Sequence, residues 1–386
     1  MKKILVILFT TFHAWFAQSQ PLRLGAERTE IYVPQLIGQT VGLVGNQSSC
    51  IGSTHLVDSL LKLNVTLRTI FSPEHGFRGD AEAGATIQNG KDLKTGLPII
   101  SLYGKNKKPT KEQVNGLDLI IFDLQDVGAR FYTYISTLHY VMEICAEQNI
   151  PLMILDRPNP NGHYVDGPVL EKKQTSFVGM HPIPIVHGMT IGEYAYMING
   201  EKWLKNGLQC TLIVIEMEHY NRHKPYHLPI PPSPNLSTDQ AIALFPSLCF
   251  FEGTEVSVGR GTNKPFEIYG SPDFKTLPFK FTPQIIKGKS ENPPFKNTLC
   301  YGIDLSLKPY DSIRQEKQLN LSYLIQAYQL SSEKSKFFND FFEKLAGTPT
   351  LRQQIISGLS ENEIRQSWQP GLTQFLSQRK PYLLYD

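Results

Sequence analysis

Residues 117–130 read LDLIIFDLQDVGAR, an apolar run that changes abruptly into a polar one. The segment LIIF contains no polar residue, which is typical of a strand that is covered on both faces in a parallel sheet. Asp123, Gln125, Asp126 and Arg130 follow at once. The stretch therefore predicts a buried parallel strand whose carboxyl end carries polar side chains.

The same pattern recurs through the first part of the chain. Apolar runs without strict alternation are separated by helix-compatible stretches such as STHLVDSLLKLN and STLHYVMEICAEQN, and this rhythm is typical of a doubly wound α/β domain. The other strand candidates are TVGLVGN, TLRTIFSP, LPIISLYG, PLMILDRP and CTLIVIEM. We predict an α/β protein with a Rossmann-like, doubly wound, mostly parallel sheet.

A proline-rich segment, HLPIPPSPNLST at 227–238, marks the expected domain boundary. Beyond it the sequence becomes rich in glycine and β-formers, as in FFEGTEVSVGRGT, and then mainly helical. The expected organisation is a Rossmann-like catalytic domain over 20–234 and a smaller α+β C-terminal domain over 235–386, which closes the active-site cleft.

The N-terminus reads as a signal peptide over 1–19, with two lysines, an apolar stretch and small residues before the expected cleavage site. We therefore expect an exported protein, periplasmic or secreted, with no membrane span after cleavage. The formal net charge of +3 is mild and has no basic stripe, which argues against a nucleic-acid partner. The five cysteines are scattered among apolar residues, so buried free thiols are expected.

Polar side chains follow four of the predicted strands. In open parallel sheets, ligands bind beyond the carboxyl ends of the strands, so the four groups together predict a site that none of them predicts alone. Amides, acids, aromatic rings and arginine are side chains suited to binding saccharides. Each polar residue could equally stabilise a turn or form an internal ion pair, such as Asp126 with Arg130. The substrate-binding candidates from these strand ends are Asn46, Asp123, Gln125, Arg130, Tyr132, Asp156, Asn159 and Asn161.

The segment FSPEHG at 71–76 places Glu74 and His75 directly after a predicted strand. A carboxyl in apolar surroundings tends to remain protonated, and it can then serve as the general acid of glycoside hydrolysis. The equal alternative is that Glu74 caps a helix or pairs with Arg78. His75 could orient Glu74, bind substrate or be structural, because no metal-ligand spacing accompanies it.

The loop GRGT in the second domain adds Arg260 and Thr262 as substrate-binding candidates. Glu252 and Glu255 flank it and are the best carboxylate candidates of the second domain, although we favour solvent-facing strand positions for both. No complete P-loop, dinucleotide-binding glycine motif or G-x-S-x-G motif is present. We expect neither a cofactor nor a metal.

Nine segments, taken in order, are similar to the exo-β-N-acetylmuramidase (NamZ-like) family, formerly a domain of unknown function. The resemblance covers nearly the whole of the chain after the predicted signal peptide. The segments are GLVGNQSS, FSPEHGFRGDAEAG, DLQDVGARFYTYISTLHYVMEIC, DRPNPNG, DGPVLE, HGMTIGEYA, PPSPNLST, FFEGTEVSVGRGT and RKPYLLYD.

The resemblance implies an exo-acting glycosidase that releases N-acetylmuramic acid from the non-reducing ends of peptidoglycan fragments. It also implies a site between two domains, with Glu74 as the catalytic acid and His75 as its supporter. Muramic acid carries a lactyl carboxylate, for which Arg130, Arg157 and Arg260 are the candidate partners, and we expect Arg130 or Arg260 to bind it. Two alternatives stay open, a non-catalytic binding protein for wall sugars and a metal-dependent amidase or deacetylase. The roles of Asp80 and Glu82 also stay open.

Overall fold

The computed structural model describes residues 20–77 and 90–386. The predicted signal peptide lies outside these residues, as do Arg78, Asp80 and Glu82. The domain boundary expected near residue 235 stays a prediction. The residues before it are called the N-terminal part, and those after it the C-terminal part.

The N-terminal part is built on one seven-stranded sheet, and every strand predicted from the sequence is present in it. The strands of this part, including one small hairpin, are β1 Thr40–Gly45, β2 Cys50–Ile51, β3 Thr54–His55, β4 Thr66–Ser72, β5 Gly90–Lys91, β6 Pro98–Ser101, β7 Leu119–Asp123, β8 Leu152–Leu155 and β9 Leu212–Ile215. Its helices are α1 Thr29–Leu36, α2 Leu56–Lys62, α3 Lys111–Val114, α4 Tyr134–Gln148 and α5 Ile191–Gly200.

The order of strands across the sheet is β5-β6-β4-β1-β7-β8-β9, and all neighbours pair in parallel except β5 with β6. Numbered along the chain, the six parallel strands stand in the order 3-2-1-4-5-6, which is that of Rossmann folds. The order reverses between β1 and β7, so the expected ligand crevice of such a sheet lies beyond Gly45 and Asp123. The predicted α/β fold class is confirmed.

The C-terminal part is smaller and mixed, as predicted. Its antiparallel sheet has the order β10-β12-β11. The elements are β10 Ile268–Ser271, β11 Phe279–Phe281, β12 Cys300–Asp304, α6 Asp239–Leu248, α7 Tyr310–Gln315, α8 Ser322–Leu330, α9 Phe342–Ala346, α10 Thr350–Ile356 and α11 Glu361–Arg379.

The two parts share one hydrophobic core, which fixes the cleft between them. A single cluster of buried apolar side chains runs from Phe122 and Leu138 in the N-terminal part to Phe250, Phe342 and Phe375 in the C-terminal part. Interfaces between independent domains are usually more polar than this. The walls of the cleft are therefore held by a shared core.

The last residues of the chain return to the first sheet. The Tyr385 hydroxyl donates to Asp156 Oδ2 at 2.8 Å, and the amides of Leu384 and Tyr385 donate to Glu193 Oε1. Arg222 binds the same Glu193 carboxylate at 2.7 Å. The C-terminal segment thus supplies hydrogen bonds to two buried carboxylates of the N-terminal part.

Three general properties of the described residues bear on function. All five cysteines are free, four of them are buried, and Cys50 is partly exposed. Within 20–77 and 90–386, no group of three or more His, Cys, Asp or Glu side chains is arranged to hold a metal ion. In the same ranges, no helix combines the length and the apolar character that a membrane crossing requires.

Candidate active site

A cavity of about 390 Å³ lies where the loops after β4, β6 and β7 meet the C-terminal part. Its volume is within the usual range for small-molecule sites, and its lining combines aromatic rings with a few polar groups, which is typical of such sites. The residues that line it are Glu74, His75, Tyr103, Lys107, Phe131, Tyr132, Thr133, Phe177, Val178, Ser233, Asn235, Leu236, Phe245, Cys249, Glu252, Arg260, Phe266, Phe341 and Leu345.

Glu74 reaches this cavity because the chain turns sharply after β4. The amide of Gly76 donates to the Pro73 carbonyl at 3.3 Å, which closes the turn. His75 and Gly76 both have left-handed backbone conformations, with φ of 73° and 80°. A histidine in this region stores backbone strain, and such strain tends to occur at functional sites. The local geometry favours a site over an ordinary polar turn.

Two hydroxyl groups hold the Glu74 carboxylate. Thr133 Oγ1 donates to Glu74 Oε2 at 2.7 Å, and the Tyr103 hydroxyl is hydrogen-bonded to the same carboxylate. Burial, followed by the charge and hydrogen bond of Glu74, raises the pKa of Tyr103, so this phenol remains a proton donor at neutral pH. Thr133 is also the residue that precedes α4, so Glu74 lies at the N-terminus of that helix.

Arg260 and Glu252 form an ion pair on the wall contributed by the C-terminal part. Arg260 Nε donates to Glu252 Oε1 at 2.6 Å, and the guanidinium lies 5.2 Å from the ring centroid of Phe266. Burial opposes the charge of Arg260, but Glu252 and, more weakly, Glu74 outweigh it and raise the pKa of the guanidinium.

Within the described residues, the two Nη atoms of Arg260 make no hydrogen bond, although its side chain is 19 % exposed and lines the cavity. Glu252 thus fixes the Nε atom of the Arg260 guanidinium, and the two Nη atoms remain available to a ligand. The expectation that Glu252 is merely solvent-facing is wrong, because it lines the cavity and holds Arg260. Glu255 is exposed and does not line the cavity.

The proline-rich segment forms another wall of the cavity. The hydroxyls of Tyr132 and Tyr134 both donate to the Pro232 carbonyl, at 3.0 and 3.1 Å. This anchoring brings Ser233 and Asn235 into the lining. Tyr132 lines the cavity with its hydroxyl bound to this wall, and its role in substrate binding stays a prediction.

Several predicted binding residues are instead buried structural groups. Asn46 is fully buried, and its amide nitrogen donates to the Tyr134 hydroxyl at 2.7 Å. Asp123 forms a two-point ion pair with Arg157, at 2.5 and 2.9 Å, and both are buried. These pairs fill the crevice at the reversal of strand order. The polar atoms of Asn46, Asp123 and Arg157 thus bond to other groups of the protein. The binding of substrate by Asn46 and Asp123 stays a prediction.

The polar side chains after β7 and β8 serve their own loops. Gln125 donates to two backbone carbonyls, and Asn159 and Asn161 donate to three others between them. Asp156 accepts hydrogen bonds from Thr190, Gly192 and Tyr385. None of these four lines the cavity. Hydrogen bonds to the protein occupy their polar atoms, and their assignment to substrate binding stays a prediction.

Arg130 is the largest fully buried side chain of the described residues. Its Nη1 donates to the carbonyls of Pro168 and Ile183 at 2.8 Å each, and its Nη2 to those of Leu345 and Ala346 at 2.9 and 2.8 Å. Burial lowers the pKa of Arg130 to about 9. Both Nη atoms are thus used by backbone carbonyls, and the binding of a lactyl carboxylate by Arg130 stays a prediction. The alternative of an ion pair with Asp126 is wrong, because the partners of the guanidinium among the described residues are carbonyls.

The carbonyls that hold Arg130 explain its position. Leu345 and Ala346 end α9, where unpaired carbonyls and the helix dipole favour a cation. The next residue, Gly347, has φ of 78°, and a Cβ there would lie 2.5 Å from Arg130 Nη2. Arg130 thus joins the loop after β7 to the helix that carries part of the cavity wall.

Thr262 and several missed residues complete the assignment. Thr262 donates to the Gly259 carbonyl at 2.7 Å and does not line the cavity, so it shapes the loop that presents Arg260. Tyr103 was missed although it lies two residues after the end of β6, where the strand-end argument would have found it. Phe341 and Thr133 carry no comparable signal in the sequence.

The fold and the cavity define a two-part α/β protein with a saccharide-sized pocket and a carboxyl group at its wall. Two family models match the chain, exo-β-N-acetylmuramidase NamZ, N-terminal, over 41–240, and exo-β-N-acetylmuramidase NamZ, C-terminal, over 243–385. The chain belongs to the NamZ exo-β-N-acetylmuramidase family.

Individual relatives agree with this assignment. The chain is 40 % identical over 372 residues to peptidoglycan β-N-acetylmuramidase NamZ of Bacillus subtilis, which covers 92 % of this chain and 89 % of that protein. It is also similar to the crystal structures of two DUF1343 family proteins from Bacteroides fragilis. One shares 47 % identity at a TM-score of 0.88 and the other 28 % at 0.77, and each match covers 95 % of this chain and 99 % of the relative.

Proposed function

We propose that this protein is an exo-acting glycoside hydrolase that releases terminal N-acetylmuramic acid from the non-reducing ends of peptidoglycan fragments, with Glu74 as the general acid. Family membership and the similarity to the Bacillus subtilis enzyme support the reaction. The observation that carries the role of Glu74 is its position in the cavity between the two parts of the chain, bound by Thr133 and Tyr103.

The chemistry required of Glu74 is proton transfer to the glycosidic oxygen. Cleavage proceeds through a transition state with oxocarbenium character, and the leaving oxygen needs a proton as the bond breaks. Thr133 and Tyr103 fix the orientation of the carboxyl group, so it does not have to be ordered during the reaction. His75 supports the same turn from the next position along the chain.

Arg260 recognises the lactyl carboxylate that distinguishes muramic acid from other amino sugars. Its Nε is held by Glu252, so the guanidinium plane is fixed while both Nη atoms remain available. A fork of two N–H donors matches a carboxylate in a two-point contact, which is stronger and more directional than a single hydrogen bond. Arg130 is fully buried and both of its Nη atoms donate to carbonyls, so we assign this role to Arg260.

The first 19 residues support an exported location. Peptidoglycan lies outside the cytoplasmic membrane, and a signal peptide would deliver the enzyme there. Mass spectrometry of protein purified from the native host should give a mature N-terminus near Gln20. An intact Met1 on the purified protein would contradict export by cleavage.

The activity is tested with two disaccharides that differ only in the order of their sugars. The wild-type protein should release N-acetylmuramic acid from the disaccharide that carries it at the non-reducing end, and not from the reversed one. Glu74→Gln should lower kcat by about 10²–10⁴-fold, because it removes the acid. The matched control is Glu255→Gln, which changes an exposed carboxyl outside the cavity and should leave kcat within about twofold.

Two results would count against the proposal. A Glu74→Gln variant with wild-type kcat removes this residue from the mechanism. Tight binding of both disaccharides with no release of sugar would identify a binding protein instead.

A further inference from the structure

One aromatic side chain at the cavity is exposed to solvent over much of its surface. Phe341 is 41 % exposed and lines the cavity, and it is the only aromatic among the large hydrophobic residues that the described ranges expose. Its neighbours Phe338 and Phe342 contact each other in the core at 4.4 Å between ring centroids. Among the described residues, no other aromatic ring contacts the ring of Phe341. Its exposed part leaves an apolar ring face beside the cavity.

The backbone that carries Phe341 is held firmly. The Phe341 amide donates to Asn339 Oδ1 at 2.9 Å, and α9 begins at the next residue. The far end of α9 is bound by Arg130 through the carbonyls of Leu345 and Ala346. A rigid backbone lowers the entropy cost of binding, so the ring is presented to a ligand at little further cost.

Lys107 also lines this cavity, and its ammonium group can donate hydrogen bonds to a ligand. Its ammonium lies 4.4 Å from the ring centroid of Phe177. Phe177 in turn stacks on Tyr140, at 6.3 Å between centroids, and contacts Tyr103 at 6.1 Å. The ring contacts position the lysine, and they link it to the tyrosine that binds Glu74.

We propose that Phe341 and Lys107 form the subsite for the leaving saccharide, the amino sugar that follows N-acetylmuramic acid in the glycan chain. This inference rests on the proposed function. An exo-acting enzyme encloses the terminal sugar, so the next sugar must lie at the opening of the cavity. A pyranose has an apolar C–H face that is buried against an aromatic ring, while its hydroxyls accept hydrogen bonds from an ammonium group.

The experiment separates the leaving saccharide from the terminal sugar. It uses Phe341→Ala, Phe341→Trp and the control Ile356→Ala, which truncates a 52 % exposed residue that does not line the cavity. The readouts are KM for the muramoyl disaccharide and the inhibition constant of free N-acetylmuramic acid, which occupies the terminal subsite alone.

Phe341→Ala should raise KM by about tenfold, because it removes the apolar contact with the leaving sugar. It should leave inhibition by free N-acetylmuramic acid within about twofold, since that contact is not used there. Phe341→Trp keeps an aromatic ring, so its KM should stay close to that of the wild type. Ile356→Ala should change neither KM nor the inhibition constant. Lys107→Met should raise KM in the same direction and by less.

The contrary outcomes are distinct. An active wild type whose KM is unchanged by Phe341→Ala overturns the subsite and leaves the proposed function intact. An equal loss of affinity for disaccharide and free sugar also overturns it, because Phe341 would then bind the terminal sugar. A wild-type protein that releases no N-acetylmuramic acid overturns the proposed function and the subsite together.

Discussion

Two polar regions lie beyond the carboxyl edge of the same sheet, and they use their hydrogen-bonding groups differently. At the reversal of strand order, Asn46, Asp123 and Arg157 are buried. Asn46 donates to the Tyr134 hydroxyl, and Arg157 donates to Asp123. At the ends of β4 and β6, Glu74 and Tyr103 line a cavity. The position where Rossmann folds usually bind ligands is therefore filled here by structural pairs, and the cavity lies to one side.

The two arginines from the prediction express the same difference. Arg130 donates from both Nη atoms to four carbonyls and is completely buried. Arg260 is bound through Nε alone and keeps both Nη atoms at the cavity. A guanidinium whose Nη donors are used by the protein stabilises the fold, whereas one whose Nη donors remain available at a cavity can bind a ligand.

Replacing Arg130 should give the largest loss of stability. Arg130→Leu leaves buried carbonyls without donors and loosens α9, so the free energy of unfolding should fall by about 3–5 kcal/mol. Urea unfolding followed by circular dichroism measures this. A variant of wild-type stability that fails to bind N-acetylmuramic acid would contradict the comparison, because Arg130 would then act on the ligand.

Replacing Arg260 should act on recognition instead. Arg260→Lys keeps the charge but loses the two-point contact, so kcat/KM for muramoyl substrates should fall by about 10–100-fold, or about 1.4–2.8 kcal/mol. Activity on the matching glycoside without a lactyl group, however low, should change little. A uniform loss on both substrates would show that Arg260 does not read the carboxylate.

Asp126, a buried residue in the loop after β7, should make the stability of the fold depend on pH. Burial raises the pKa of Asp126 from its ordinary 3.8 to about 7, against the opposing hydrogen bonds of the Gly128 and Val127 amides. The folded protein thus binds more protons than the unfolded chain between about pH 4 and 7, so this group's contribution to stability is lost as pH rises through that range.

Asp126→Asn keeps an acceptor for the Gly128 amide and does not ionise. Its free energy of unfolding relative to the wild type should therefore increase between pH 4 and 7, by roughly 1 kcal/mol or more, and level off above pH 8. Urea titrations at four pH values measure the difference. A difference that is constant with pH would show that Asp126 is not desolvated as described.

The sequence predicted the sheet because its signal is local. Apolar runs such as LIIF report burial on both faces, and the order of runs and helices is the order of elements. The turn at Pro73 and Glu74 could also be predicted from the sequence, because proline fixes the backbone locally and glycine permits a left-handed conformation.

The role of each strand-end side chain could not be predicted from the sequence, because it depends on partners far away in the chain. Arg130 is held by carbonyls at 168, 183, 345 and 346, and Asp156 by a tyrosine at 385. No local pattern distinguishes these groups from Arg260. Only the folded arrangement shows which donors remain unused.

The most direct test of this account is the structure of the Glu74→Gln variant with the muramoyl disaccharide bound. We predict that the lactyl carboxylate lies within hydrogen-bonding distance of both Nη atoms of Arg260, with the glycosidic oxygen beside residue 74. A terminal sugar bound in the crevice between β1 and β7, or a carboxylate that contacts Lys107 and not Arg260, would contradict it.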